Sequence, residues 1–344
     1  LRHGEALENA SVVTLLDILQ CPYDKGALVR SPEGLLCTAC RRGYPTAGGI
    51  VRLLDEEALG ESARRQMAIY DHRFRTMSPR SREDLFACEY VYRRGLLEQA
   101  LTVLGAPIDL DHQVWIYVGG EGTQCMVLSE RGGFHVSFDV SLGQLTTGAD
   151  LVHRVAPRYF RRLRPDRIAW VWGDGEGALP FRDASADVAY GIGVLNHLPT
   201  DKWASHIAEL VRIVKPGGLV FQIVPNPASP YFLRLRWHFV DPGSLQYWTQ
   251  FIDPDRIEAV FSAAGLRQII SHALWRFDHD RFPGRYWKLD FVVSRLLGAR
   301  WPGRWRPGIV AQRVALAACQ RRQRWARALT LDPPKHLLIA GRRA

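Results

Sequence analysis

From Gln113 onward the chain alternates short apolar runs with segments of helical periodicity. The runs at 114–118, 134–138, 168–172, 188–194, 219–224, 266–273 and 336–340 have strand length and are rich in β-branched and aromatic residues. The intervening stretches at 203–214 and 254–264 repeat their apolar positions every three or four residues, as a helix packed on one face does. This alternation predicts an α/β fold, an open, doubly wound, mostly parallel sheet. Upstream the pattern differs. Residues 15–54 offer a short helix, Cys-centred turns and small strands, with too little apolar material to fold unaided, so a cross-link or docking onto a neighbour is required. A polar, Arg-rich helical stretch follows to about Leu104, punctuated by Met67, Ile69, Tyr70, Leu85, Phe86, Tyr90 and Leu97, and Gly105, Ala106 and Pro107 close it. The expected organisation is therefore a small module at 1–55, a helical linker or lid at 56–106, and an α/β domain at 107–278 that resumes at 335–344. An insertion at 279–334 separates the two pieces of that domain.

Composition adds limits to this picture. A chain of 344 residues with 47% hydrophobic and 23% charged content has room for one large and one small core, and it does not have the composition of a disordered protein. No apolar run approaches the roughly 18 to 20 residues that span a bilayer, and the first residues lack a basic head followed by an apolar core. A cytoplasmic location is the expectation. The net charge of +10 is placed unevenly, since 279–334 holds twelve Lys and Arg against three Asp, or +9. An anionic partner would meet that segment. Of six cysteines, three fall within 21–40, which suggests a metal site, while Cys88, Cys125 and Cys319 are scattered and read as packed thiols.

The chemistry-bearing motifs follow the strands. After the first comes the glycine turn VGGEGT at 118–123, where backbone can approach a ligand closely and a new helix offers free N–H groups. The second strand ends in Asp139, placed either to accept the hydroxyls of a ribose or to cap the next helix. The third is followed by GDGEGALPF at 173–181, which puts Asp174 on the same sheet edge. Then come ADVAYGIGVLNHLP at 186–199 and LVRIVKPGGLVFQIVPNP at 210–227. In this order the motifs strongly resemble those of class I S-adenosylmethionine (SAM)-dependent methyltransferases, particularly the members that act on small molecules. The resemblance covers about 114–277 and resumes at HLLIAGRR, 336–343, which is similar to their last, antiparallel strand. It implies SAM as cofactor, with Gly119 and Gly120 against the methionine part, Asp139 on the ribose, Asp174 on the adenine amino group and Gly175 giving a backbone contact. Two positions depart from the family: Tyr117 stands where an acid usually anchors the cofactor's amino end, and Glu121 where another glycine is expected.

Methyl transfer is an in-line displacement at an activated carbon, so the protein must align the acceptor and accept a proton where there is one. The resemblance makes His197 the candidate base, beside the end of the fourth strand, with Asn196, His206 and His238 as weaker candidates. In the N-terminal module, Cys21 and Asp24, then Cys37 and Cys40, form two pairs three residues apart, separated by twelve residues. This is tetrahedral zinc spacing with one thiolate replaced by a carboxylate. With CP at 21–22, YP at 44–45 and GIVRLL at 49–54, the module resembles the small zinc-ribbon proteins that serve as activator subunits of methyltransferases, which implies a structural zinc.

The insertion at 279–334 contains a helical pattern at 309–329. Ala311, Val314, Ala318, Trp325 and Leu329 lie on one side, and Arg313, Gln320, Arg324 and Arg327 on another. It reads as a lid, as a basic surface for RNA or an anionic acceptor, or as an interfacial helix pair with Trp287, Trp301 and Trp305 at the head-group level of a membrane. The first-choice function is methylation of a small organic acceptor, in the manner of natural-product biosynthesis. Methylation of ribosomal or transfer RNA is the alternative, and a degenerate cofactor-binding or scaffold protein the third reading.

Overall fold

In the computed structural model, residues 15–78, 93–106, 110–158, 160, 162–226, 253–274 and 336–344, with Phe86 and Val310, are described. His238, Cys88, Cys319 and nearly all of the basic insertion lie outside them. The expected sheet forms. Strands β5 (Val114–Val118), β6 (Phe134–Asp139), β7 (Ile168–Trp172) and β8 (Ala186–Ile192) pair in parallel. They are buried along almost their whole length, which fits the continuous apolar runs of β5 and β7, while β6 alternates and buries His135 and Ser137 as well. Beyond β8 come β9 (Val214–Pro225), parallel to it, and then β11 (His336–Arg343), inserted antiparallel between β9 and β10 (Leu266–Leu274). Across this part the order is β7-β6-β5-β8-β9-β11-β10. The chain therefore reverses its winding between β5 and β8, which opens a crevice at the carboxyl ends of the strands.

Five helices follow from local signals. The first, α1 (Glu61–Thr76), precedes the main sheet, and α2 (Thr123–Ser129) begins directly after the glycine turn. Ser141 caps α3 (Leu142–Arg154), its side chain accepting the N–H of Gln144. In α4 (Trp203–Ile213) the buried positions Trp203, His206, Ile207, Leu210 and Ile213 repeat at three- and four-residue spacing and form one apolar stripe. Asp253 caps α5 (Pro254–Ala263), whose first position is the proline that helix starts favour. A further helical stretch covers 93–103.

Two of the expected strands run differently. The fourth begins and ends two residues earlier than 188–194, because Gly193 adopts φ +70° and turns the chain. The KPGG segment at 215–218, read as a turn before the fifth strand, belongs to β9 itself. Val214 already pairs with Ala186, Gly217 has φ +74°, and the ladder shifts between Ala186 and Val188. A bulge takes up the extra residues.

The N-terminal module supplies four more strands to the same sheet. An antiparallel meander of β1 (Leu28–Ser31), β2 (Gly34–Cys37), β3 (Gly43–Ala47) and β4 (Ile50–Arg52) ends with β4 lying parallel to β7, Ile50 opposite Trp170 and Arg52 opposite Trp172. A second seam lies at the 178–181 segment, where Leu19 bridges Phe181, Gln20 N–H donates to Pro180 O and Arg182 N–H to Ile18 O. Leu15, Ile18, Leu19, Leu28 and Leu35 join the core layer that α4 and α5 form with Ile207, Leu210, Ile257 and Phe261. Docking thus supplies the apolar contact that the module lacks internally. Arg212 secures the same segment from α4, donating to Leu179 O, Phe181 O and Asp183 and pairing with Glu209.

Candidate active site

A cavity of about 370 Å³ lies at the carboxyl edge of the sheet, at the switch point between β5 and β8. Its floor is the turn after β5. Gly119, Gly120 and Gly122 all have positive φ, and a Cβ at Gly119 would lie 2.7 Å from Val194 Cγ2, so the tight passage of backbone here requires glycine. Asp139, the last residue of β6, is half-buried and accepts the N–H of Gly120 and that of Ser141, each at 2.6 Å. Burial pushes its carboxyl up to about 6; the two N–H groups work against that rise, and the charges of Glu121 and Asp71 add to it. Asp174, one strand further out, is also raised chiefly by burial, with the N–H of Glu176 at 2.8 Å pulling the other way. Gly175 carries its carbonyl toward α4, where His206 Nδ1 donates to it at 3.0 Å. His206 is itself buried, with its pKa lowered by that burial, so it fixes the loop and does not reach the cavity.

Of the residues singled out from the sequence, Gly119, Gly120, Asp139, Asp174, Gly175 and His197 all line this one cavity. Asn196 is buried beside it without lining it. Cys125 is fully buried, and burial raises its thiol well above the ordinary range, so it is a packed thiol and not a nucleophile.

The roof comes from α1, within the stretch expected as a helical linker or lid, although no motif singled out its residues for the site. Ala63, Gln66, Tyr70, Arg73 and Phe74 share one face of it and line the cavity. Tyr70 Oη lies 3.3 Å from His197 Nε2, and Gln66 Nε2 donates to the His197 carbonyl at 3.4 Å. Asp71 anchors the helix, accepting the Ser141 hydroxyl at 2.6 Å and the Gly143 N–H at 2.8 Å, a carboxylate at the start of α3 where the helix dipole favours it. The available signal was polar side chains at helical spacing among apolar ones on a face that is buried. Arg93, Glu176, Pro225 and His336 add to the wall; the buried Oε1 of Glu176 has no hydrogen-bond partner among the described residues.

Outside the cavity lining, Cys21, Asp24, Cys37 and Cys40 bring one ligand atom each to within 4.8 Å of one another. Cys21 and Cys40 sulfurs are 3.7 Å apart, and Cys37 Sγ lies 3.3 and 3.6 Å from the two Asp24 oxygens. A tetrahedron with zinc–sulfur bonds of about 2.3 Å has sulfur–sulfur edges of about 3.75 Å, so the Cys21–Cys40 separation suits two ligands of one ion, and the group of four could hold a metal. A Cβ at Gly26 would press on Cys37 Sγ at 2.8 Å and Asp24 Oδ1 at 2.9 Å, while the Gly26 N–H supports Asp24 Oδ1 at 2.8 Å.

Comparison with known proteins bears on the stretch that carries the main motifs. Residues 118–222 match the family model described as a methyltransferase domain. The chain is 25% identical over 166 residues to the biotin biosynthesis bifunctional protein BioHC of Cellvibrio japonicus, covering 47% of this chain and 29% of that protein. It is 26% identical over 156 residues to the 27-O-demethylrifamycin SV methyltransferase of Amycolatopsis mediterranei, covering 38% and 56%. The chain thus spans less than two thirds of the length of these curated relatives. Among solved structures, the Haemonchus contortus phosphoethanolamine N-methyltransferase 2 in complex with S-adenosyl-L-methionine aligns at 15% identity and a TM-score of 0.44, over 80% of this chain and 60% of that one. Within this chain, residues 118–222 thus resemble a methyltransferase domain.

Proposed function

We propose that the chain transfers a methyl group from SAM to a small organic acceptor bound under α1. The observation that carries this reading is the convergence of the β5 glycine turn, Asp139, Asp174 and His197 on one cavity at the switch point. The residues present suit the cofactor: a glycine-rich turn for close approach, carboxylates at the ends of two adjacent strands, and a buried carboxylate oxygen on Glu176 with no partner among the described residues. Gly119 and Gly120 would meet the methionine part, Asp139 the ribose diol, and Asp174 with the Gly175 backbone the adenine. When bound, SAM supplies an electrophilic methyl carbon on a sulfonium.

The chain's own residues then have two tasks. Tyr70, Phe74, Pro225 and His336 enclose the remaining space and orient the acceptor, favouring a small molecule over a polymer. His197 accepts the acceptor's proton, with the Tyr70 hydroxyl at 3.3 Å fixing its ring. Calorimetry with SAM and with its demethylated product, S-adenosylhomocysteine (SAH), tests the reading; both should bind at micromolar concentration, and absence of binding by either at millimolar concentration would refute it. Replacing His197 by Asn should lower kcat roughly a hundredfold or more, within the range of general base catalysis, while SAH affinity changes less than about twofold. An unchanged kcat would remove the base from the mechanism and leave His197 a packing residue. We also propose that Cys21, Asp24, Cys37 and Cys40 hold a structural zinc, since no open position for chemistry is suggested by the set.

A further inference from the structure

The residue at 117 raises a question of charge. An amino-acid ligand end is a zwitterion, and a buried site that receives it needs an anion for its ammonium and a cation for its carboxylate. Tyr117 cannot supply the anion. It is fully buried, its hydroxyl accepts from Gln124 Nε2 at 3.0 Å, and burial holds it protonated far above the ordinary tyrosine range. The sheet order β7-β6-β5-β8 sets Asp174, Asp139 and the turn after β5 in sequence across the cavity, so the two strand-end carboxylates belong to its nucleoside side. One carboxylate remains on the turn itself.

We infer that Glu121 holds the α-ammonium of the cofactor's amino-acid end, and that Arg73 and Arg93, which line the same cavity, receive its α-carboxylate. The anion has in effect moved four residues, from the strand end at 117 to the turn at 121. Thr123 Oγ1 donates to Glu121 Oε1 at 2.9 Å and fixes the side chain at the start of α2. Both signs of charge act within the cavity: Glu121 raises the hydroxyls of Tyr70 and Tyr117, while Arg93 lowers both and Arg73 lowers Tyr70. This inference rests on the methyltransferase reading and specifies how the turn serves it.

Three ligands separate the charges: SAH has both, its decarboxylated analogue keeps only the ammonium, and 5′-methylthioadenosine has neither. Calorimetry on the full chain should show Glu121→Gln losing about tenfold to a hundredfold in affinity for SAH and for the decarboxylated analogue, with methylthioadenosine held within about twofold. The double variant Arg73→Met with Arg93→Met should lose affinity for SAH alone. Methylthioadenosine also reports whether each variant is folded. Equal losses on all three ligands, or none, would overturn the clamp, as would a Glu121→Gln loss confined to SAM, which would put the charge at the sulfonium. If the unaltered chain bound neither SAH nor methylthioadenosine, the proposed function itself would fall and the clamp with it.

Discussion

Replacing Asp139 by Ala is expected to lower SAM affinity by a hundredfold or more. A ribose diol donating two charge-assisted hydrogen bonds loses roughly 1.5 to 3 kcal/mol with each, and the N–H groups of Gly120 and Ser141 lose their acceptor at the same time. The acid's burial also makes the effect depend on pH. Its carboxyl titrates at about 6 in the folded chain against the ordinary aspartate value of 3.8, so between these limits the folded chain keeps a proton that the unfolded chain has released. Stability from this group is therefore fully present below about pH 4 and declines as pH rises through 6, by an amount of order 3 kcal/mol. Binding runs in the opposite direction, because the ionised acid is the better acceptor for a diol: affinity should climb from pH 5 to 7 and then level. Asp139→Asn should flatten both profiles. Denaturation and calorimetry at pH 4.5, 6 and 7.5 read the two slopes, and a binding slope unchanged in the Asn variant would place the ribose elsewhere.

What the chain disclosed about its fold depended on how local each signal was. β5 and β7 were legible as continuous apolar runs and the helices at 203–214 and 254–264 by their periodicity, whereas the helix after β6 was not named and its cap is Ser141, two residues beyond the Asp139 offered for that role. The parallel pairing of β4 with β7 was not legible. Three residues, Ile50–Arg52, carry it, and nothing in them names a partner more than a hundred residues away. The bulge in KPGG was missed for a related reason: glycines announce a departure from regular backbone, while the neighbouring strand decides whether it becomes a turn or a bulge.

The site divides in the same way. Gly119, Gly120, Asp139 and Asp174 sit at strand ends, where the order of strands fixes their position, and they meet in one cavity as the motif order implies. Tyr70, Arg73 and Phe74 come from a helix outside the sheet. Their place over His197 depends on Asp71 reaching Ser141 and Gly143, a contact across seventy residues of sequence. Glu121 was visible as a departure from a glycine, yet the role proposed for it depends on the burial of Tyr117, which the sequence did not show.

Removing metal should produce the largest effect on stability. Structural zinc contributes on the order of 10 kcal/mol to the folding of small modules, and this one has only four short strands and a share of a neighbouring core to set against that loss. Two of the four proposed ligands, Cys21 and Cys37, are completely buried, so thiols without an ion would sit close together in an apolar setting. Treating the full chain with a strong chelator should lower the melting temperature by about 10 °C or more and expose residues 21–40 to proteolysis. The effect should also reach the cavity. β4 ends at Arg52 and α1 begins at Glu61, so losing the β4–β7 ladder frees the helix that carries Gln66, Tyr70 and Arg73, and SAH affinity should fall about tenfold with it. Asp24→Cys completes four thiolates and should tighten zinc binding while leaving SAH affinity unchanged; Cys37→Ala should reproduce the chelated state with zinc present. A melting temperature indifferent to the chelator, or less than about a tenth of an equivalent of zinc after purification with zinc supplied, would show that packing alone holds the module.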